Sequence, residues 1–268
     1  MNYFTQSPDN IFVAAHRGSR IKYAENTIPA FAWAISLGVD QIEFDVRVSK
    51  DGELVIIHDD TVDRTTNGKG RVCELTLDEL KSLDASAGLD EQKGVRIPTL
   101  IEVMELVKDH PTITLDVELK EYPTEGKEEL AYSVCDRVLG IIDDYGFTDR
   151  VVVNTFSGKL HQYIREKYGA KYRQHVYFPI ANHGSGFTLD PYSYGYCCCM
   201  FKAFSSEINM ALKCEFDHML SLGVQPWAGA AVRDERGVDM AIERGAYLIT
   251  CDNPDEILDL LRKKGKHK

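Results

Sequence analysis

The chain has 268 residues, 44% of them hydrophobic and 27% charged, with a formal net charge of −11. That composition is ordinary for a globular protein and excludes a disordered chain, and the length suits one (β/α)₈ barrel of about 250 residues or two ordinary domains. The acidic balance argues against a nucleic-acid partner, which needs a basic face, but leaves a phosphate-bearing substrate open, because a local cluster of Arg, Lys, His or metal overrides the global sign.

In chain order, IFVAA (11–15) reads as the first strand and runs out in His16-Arg17-Gly18. A polar loop leads to Asn26-Thr27, where TIPAFAWAISLG starts a helix. Phe31, Ala34, Ile35 and Gly38 fall at helical intervals there, and the pattern stops at glycine. QIEFDV (41–46) is the second strand. The run ELVIIH then reads as a hairpin return ending at His58, and DDTVDRTTNGKGRVCELTLDELKSLD as an inserted loop and short helix, so residues 47 to 97 interrupt the rhythm. After the helix TLIEVMELVKDH come the strand TITLDVEL (112–119), the helix GKEELAYSVCDRVLGIIDDYG, the strand RVVVNT (150–155) and the helix GKLHQYIREKYG. YRQHVYF (172–178) is followed by PIANHGSGFTLDPYSYG (179–195), an aperiodic loop that suits either a substrate lid or an irregular piece of scaffold. The remainder alternates YCCCMF (196–201), the helix SSEINMALKCEFDHMLSLG, VQPWAG (224–229), the helix RGVDMAIERG, AYLITC (246–251) and the helix PDEILDLLRKK.

Eight strands alternating with about as many helices are βαβ repeats. The count and length predict one α/β domain over residues 1–268, a TIM (β/α)₈ barrel with a small insertion at roughly 47–97 after its second strand. An open doubly wound sheet is the alternative. No apolar run approaches the ~18 residues of a membrane span, and MNYFTQSPDN lacks the basic and then apolar regions of a signal peptide. The expectation is a cytoplasmic protein with no stable membrane association. Seven cysteines, mostly inside apolar runs, suit reduced thiols. Neighbours on a strand face opposite ways, so the three thiols of YCCCMF do not converge on one zinc and read as part of a buried strand.

Polar groups gather at the ends of the early strands: His16 and Arg17, then Glu43 and Asp45, then His58, then Glu118 and Lys120. Residues two apart on a strand share a face, and the C-terminal ends of neighbouring barrel strands converge on one mouth. Glu43, Asp45 and Glu118 would repel one another there unless a cation sat among them, and hard oxygen ligands suit Mg²⁺ or Ca²⁺. His16 and His58 beside that cluster suit acid–base work. Arg17 and Lys120 offer positive charge to a phosphoryl group. His175, within a strand, reads as a satisfied core residue. No Walker loop, dinucleotide fingerprint or G-x-S-x-G elbow is present.

HRG (16–18), ENT (25–27), EFDV (43–46), HDDTVDRTTNGKG (58–70) and ELK (118–120), followed in order by TFS (155–157), PW (226–227) and LITCDNP (248–254), resemble the glycerophosphodiester phosphodiesterase family. The resemblance implies a TIM barrel with an insertion after its second strand. It also implies metal-dependent hydrolysis of glycerophosphodiesters to an alcohol and glycerol 3-phosphate. By the same resemblance Glu43, Asp45 and Glu118 hold the divalent cation, His16 and His58 are the acid–base pair, Arg17 and Lys120 bind phosphate, and Trp227 packs against the glycerol or alcohol moiety.

Two departures stand out. Ala24 precedes ENT where the family usually has proline, and Trp227 is followed by Ala-Gly-Ala where the family usually has polar groups in the sequence WTVN. The expected reaction runs through attack of the hydroxyl next to the ester, with a cyclic phosphate as intermediate, or through direct attack of water. A lipid-directed, phospholipase-like barrel and a non-catalytic phosphodiester-binding module are the rival readings.

Overall fold

The computed structural model describes residues 2–202 and 208–268. Among the described residues, nine strands form one sheet: β1 (Phe12–His16), β2 (Gln41–Val48), β3 (Leu54–Ile56), β4 (Thr114–Leu119), β5 (Val151–Asn154), β6 (Arg173–Phe178), β7 (Cys197–Met200), β8 (Gln225–Ala228) and β9 (Leu248–Cys251). Parallel pairing runs β1-β9-β8-β7-β6-β5-β4-β2, and β1 also pairs with β2, which closes eight strands into a barrel. β3 lies antiparallel on the outer part of β2, with Val46 facing Ile56, and so stands outside the ring. The closed barrel, rather than the open doubly wound sheet, is therefore the architecture.

Helices α1 (Ile28–Leu37), α2 (Leu77–Ser82), α3 (Leu100–Val107), α4 (Glu128–Asp144), α5 (Gly158–Tyr168), α6 (Lys213–Ser221), α7 (Glu235–Arg244) and α8 (Pro254–Lys263) connect the strands. Their ends are written in the sequence. Thr99 and Glu102 form a reciprocal capping box at the start of α3, and α1 stops at Gly38 in the left-handed conformation.

Inside and outside are separated by strand parity. On β4, Leu115, Val117 and Leu119 join the large core between strands and helices, whereas Asp116 and Glu118 point into the barrel. The barrel bottom is plugged by Phe4, Phe12, Ala14, Val152, Cys197, Trp227 and Leu248. The insertion has a small core of its own, built from Val55, Ile57, Val62, Val72, Leu80, Ala85 and Ile97. The three consecutive cysteines split as strand parity requires: Cys197 faces the bottom plug, Cys198 the outer core and Cys199 the upper cavity.

One expectation is corrected. The helix expected from Ser205 begins only at Lys213; residues 203–207 lie outside the described residues, and 208–212 are not helical. The backbone there is engaged elsewhere: the Ala211 N–H donates to Met200 O (2.9 Å), and the Arg244 guanidinium donates to the carbonyls of Met210 and Ala211, both at 2.6 Å. The 179–195 loop contains short 3₁₀ turns at Ile180–His183 and Pro191–Ser193. It is tied to β6, since the Tyr177 N–H donates to His183 Nε2 (3.1 Å) and the Tyr192 hydroxyl donates to Tyr177 O (3.1 Å).

Candidate active site

The site grows from the end of β1. The chain turns sharply there: Arg17 has φ +54° and Gly18 φ +78°. A side chain on Gly18 would put its Cβ 2.8 Å from the Ala30 carbonyl carbon, so glycine is required for α1 to pack this closely. Arg17 holds its left-handed backbone because both backbone groups are engaged. Its N–H donates to Glu43 Oε2 (2.9 Å) and its carbonyl accepts from the Asn26 N–H (2.9 Å). A strained residue fixed in this way is a frequent mark of a functional site.

Each histidine has a carboxylate behind it. His16 Nδ1 donates to Asp252 Oδ1 (2.7 Å), and its Nε2 lies 4.0 Å from Glu43 Oε2. His58 Nδ1 donates to Asp59 Oδ1 (2.6 Å). Asp59 is held by Arg64 Nε (2.6 Å), and Arg64 also binds Glu25, which in turn accepts from Arg17. An Nδ1–H anchored to a carboxylate leaves Nε2 of both rings as the nitrogen free to take or give a proton. Burial pushes both imidazoles below their ordinary values, and Asp252 and Asp45 pull His16 partway back.

Glu43, Asp45 and Glu118 bring one oxygen each within 4.8 Å of one another. Oxygens bound to one ion at about 2.0–2.6 Å have this spacing. The surroundings are electrically unbalanced. Asn26 donates to Asp45 Oδ2 (2.7 Å), Arg17 Nε lies 3.1 Å from the same oxygen, and Lys120 Nζ contacts Asp45 Oδ1 (3.1 Å) and Glu118. Burial would raise Asp45, but Lys120 and Arg17 hold its carboxyl well below the usual range. Among the described residues Glu43 receives only the backbone N–H of Arg17 as a hydrogen bond. Burial, together with the charges of Asp45 and Glu118, pushes its carboxyl well above the usual range. A cation among these oxygens would remove that penalty, so the residues fit a divalent metal.

His16, Arg17, Glu43, His58, Glu118 and Lys120 line one cavity of about 260 Å³ at the C-terminal mouth of the barrel. Its aromatic wall is a ladder, with Phe156 stacked on Tyr177 (3.9 Å between centroids) and Tyr177 on Phe201 (5.7 Å). A larger cleft of about 400 Å³ lies on the other side of Lys120 and contains neither histidine.

Trp227 is not brought to this cavity. It belongs to β8 one layer below the mouth, is fully buried in the bottom plug, and leaves Gly229 and Ala230 to line the wall. His175 is buried as expected but is not a satisfied core residue: it lines the cavity, and its Nε2 has no partner among the described residues.

Asp252, Asp59, Asn26 and Glu25 were given no role by sequence reasoning. The signal for Asp252 was present, since it follows an apolar strand as His16 does, and β9 pairs with β1 so that the two strand ends adjoin.

Residues 16–182 match the sequence model of the glycerophosphoryl diester phosphodiesterase family. The chain is 34% identical to a glycerophosphodiester phosphodiesterase of Caldanaerobacter subterraneus subsp. tengcongensis, over 94% of this chain and 98% of that one. It is similar to a phosphodiesterase structure from Oleispira antarctica holding the product sn-glycerol-3-phosphate, with 24% identity and a TM-score of 0.76 over 94% of this chain and 96% of that one. It is also similar to a glycerophosphodiester phosphodiesterase structure from Agrobacterium tumefaciens, with 22% identity and a TM-score of 0.71 over 92% of this chain and 98% of that one. At such identities the two structures speak for the barrel alone.

Proposed function

Because the chain belongs to the glycerophosphoryl diester phosphodiesterase family, we propose that it hydrolyses glycerophosphodiesters to an alcohol and glycerol 3-phosphate. The observation that carries this reading is the pair of carboxylate-anchored histidines facing one cavity with the three-acid cluster between Arg17 and Lys120. Glu43, Asp45 and Glu118 would hold one divalent cation, Mg²⁺ or Ca²⁺. When bound, that ion supplies positive charge against the phosphoryl oxygens.

Arg17 and Lys120 bind the phosphodiester and oppose the charge that grows on it. One histidine takes the proton from the hydroxyl next to the ester, which attacks phosphorus, while the other gives a proton to the departing alcohol. The cyclic phosphate is opened by water with the two roles reversed. The whole chain, 1–268, works as one domain, because the insertion at 47–97 supplies His58. The seven unpaired cysteines and the lack, among the described residues, of a helix long and apolar enough to cross a membrane support a cytoplasmic setting.

The test is release of glycerol 3-phosphate from glycerophosphocholine, glycerophosphoethanolamine, glycerophosphoglycerol and glycerophosphoinositol. Each is assayed with Mg²⁺, with Ca²⁺ and with chelator, beside the variant His16→Ala. Metal-dependent release that is lost in the variant is the expected result. No release from any of the four by folded, metal-saturated protein would overturn the reading.

A further inference from the structure

His175 sits on the floor of the cavity with the indole of Trp227 beneath it, 4.9 Å between ring centroids, and is 4% exposed. Its Nδ1 donates to Oδ2 of the fully buried Asp116 at 2.7 Å, so Nε2 carries the free lone pair. Asn154 is its register neighbour on β5. His175 Nε2, Asp116 Oδ1 and Asn154 Oδ1 all lack a hydrogen-bond partner among the described residues, and all three residues line the cavity. Buried polar atoms are normally satisfied. Three orphans on one wall mark a place built for something else to bind.

The chemistry of the three atoms narrows what that is. Each is an acceptor, so the ligand must donate. The donors common to every glycerophosphodiester are the hydroxyls of glycerol. The position agrees as well. Asp116 precedes Glu118 by two residues on β4, which puts it on the same inward face about 6.6 Å deeper. That is the reach of a three-carbon chain hanging from a phosphate held at Arg17 and Lys120.

We propose that Asp116, Asn154 and His175 form a polyol subsite that sets specificity for the glycerol moiety: His175 Nε2 accepts the single hydrogen bond its terminal hydroxyl can donate, Asp116 holds that ring with Nε2 free, and Asn154, whose amide also carries N–H donors, flanks the hydroxyl oxygen. The proposal rests on the glycerophosphodiesterase reading above. It assigns the glycerol to the barrel floor and sends the other alcohol toward the open mouth.

The test compares choline release from glycerophosphocholine with release from its analogue built on propane-1,2-diol. The analogue keeps the hydroxyl next to the ester but lacks the terminal one. For the metal-saturated wild type, kcat/KM is expected to be on the order of 100-fold lower on the analogue. In His175→Leu, the parent substrate should fall toward the analogue and the ratio should shrink to within about threefold. Asp116→Asn, which keeps the shape of the side chain, should shrink the same ratio and guards against misfolding of the leucine variant. A merely structural role would slow both substrates equally and leave the ratio intact, and that result overturns the proposal. So does a wild-type ratio near one. Failure to cleave either choline ester would instead count against the functional reading itself.

Discussion

Replacing Asp252 with asparagine tests whether the carboxylate behind His16 is part of the working site. The bond from His16 Nδ1 is 2.7 Å long and the carboxylate is 5% exposed, so water does not substitute for it. A charge-assisted hydrogen bond of this kind contributes about 1.5–3 kcal/mol, or roughly 10- to 150-fold in rate if only orientation is lost. Asparagine can also present its amide N–H to Nδ1, which moves the imidazole proton to Nε2 and blocks the nitrogen that faces the cavity. In the serine-protease triad the same change costs about 10⁴ in kcat. The expected fall in kcat therefore lies between about 10- and 10⁴-fold, with little change in KM, because Asp252 does not line the cavity. Burial pushes His16 down and Asp252 pulls it partway back, so the pH limb belonging to His16 should move to lower pH in the variant. Steady-state kinetics across pH on glycerophosphocholine provide the assay. Arg233→Ala serves as the control, since that guanidinium lies 3.6 Å from the other carboxylate oxygen and is largely exposed. A folded Asp252→Asn enzyme with kcat within about threefold of wild type would refute the reasoning.

Glu43→Gln should raise the melting temperature of metal-free protein, because it removes a carboxylate repelled by Asp45 and Glu118, and should abolish the further rise on adding Mg²⁺ or Ca²⁺; thermal melts with and without metal decide it. Gly18→Ala should destabilise by about 2–4 kcal/mol through its positive φ and its contact with Ala30, whereas Gly140→Ala, on an exposed turn of α4 with open space beside it, should stabilise by about 0.5–1 kcal/mol; urea unfolding measures both. Arg64 beside Asp59 holds that carboxyl down at about 2, and it holds Glu25 well below the usual range despite burial. Depressed carboxylates contribute stability above their unfolded values near 4, and that contribution is lost as pH falls toward the folded values. The gap in melting temperature between wild type and Arg64→Ala should thus stay constant above about pH 5 and close between about pH 4 and 2.

Most strands were legible because barrel strands buried on both faces are short apolar runs between turn residues, and parity then orders the polar exceptions. Glu43 with Asp45 and Glu118 with Lys120 could be placed at one mouth on spacing alone. Trp227 could not, because residues two apart on a strand occupy different layers of a barrel, and only the register with β7 and β9 shows that its layer is the lower one. The start of α6 was hidden for a related reason. Nothing local in NMAL says that Ala211 will pair with Met200 or that Arg244, more than thirty residues on, will cap those carbonyls. His175 was misjudged because nothing local shows that its ring, held through Nδ1 by Asp116 59 residues away, turns Nε2 to the cavity without a partner among the described residues.

The small residues after Trp227 looked like erosion of the site. The space a side chain at Gly229 would fill is already occupied: an added Cβ would lie 2.6 Å from the Phe201 ring and 2.8 Å from Cys199 Sγ. Phe201 stacks on Tyr177, and Tyr177 on Phe156, so β8 is thin where the aromatic ladder from β6 and from the residues just after β5 and β7 is thick. The wall at the end of β8 is thus filled by the neighbouring Phe201 and Cys199 rather than by side chains of its own, as close packing demands. The unpaired acceptors of Asp116, Asn154 and His175 lie on β4, β5 and β6, largely the strands that carry this ladder. The departure that favours a non-catalytic phosphodiester-binding module is the altered end of β8. With that end filled by Phe201, and with both histidines, the three acids and both cations facing one cavity or its wall, the altered end of β8 leaves no gap in the pocket and the groups proposed for the chemistry stand together around it.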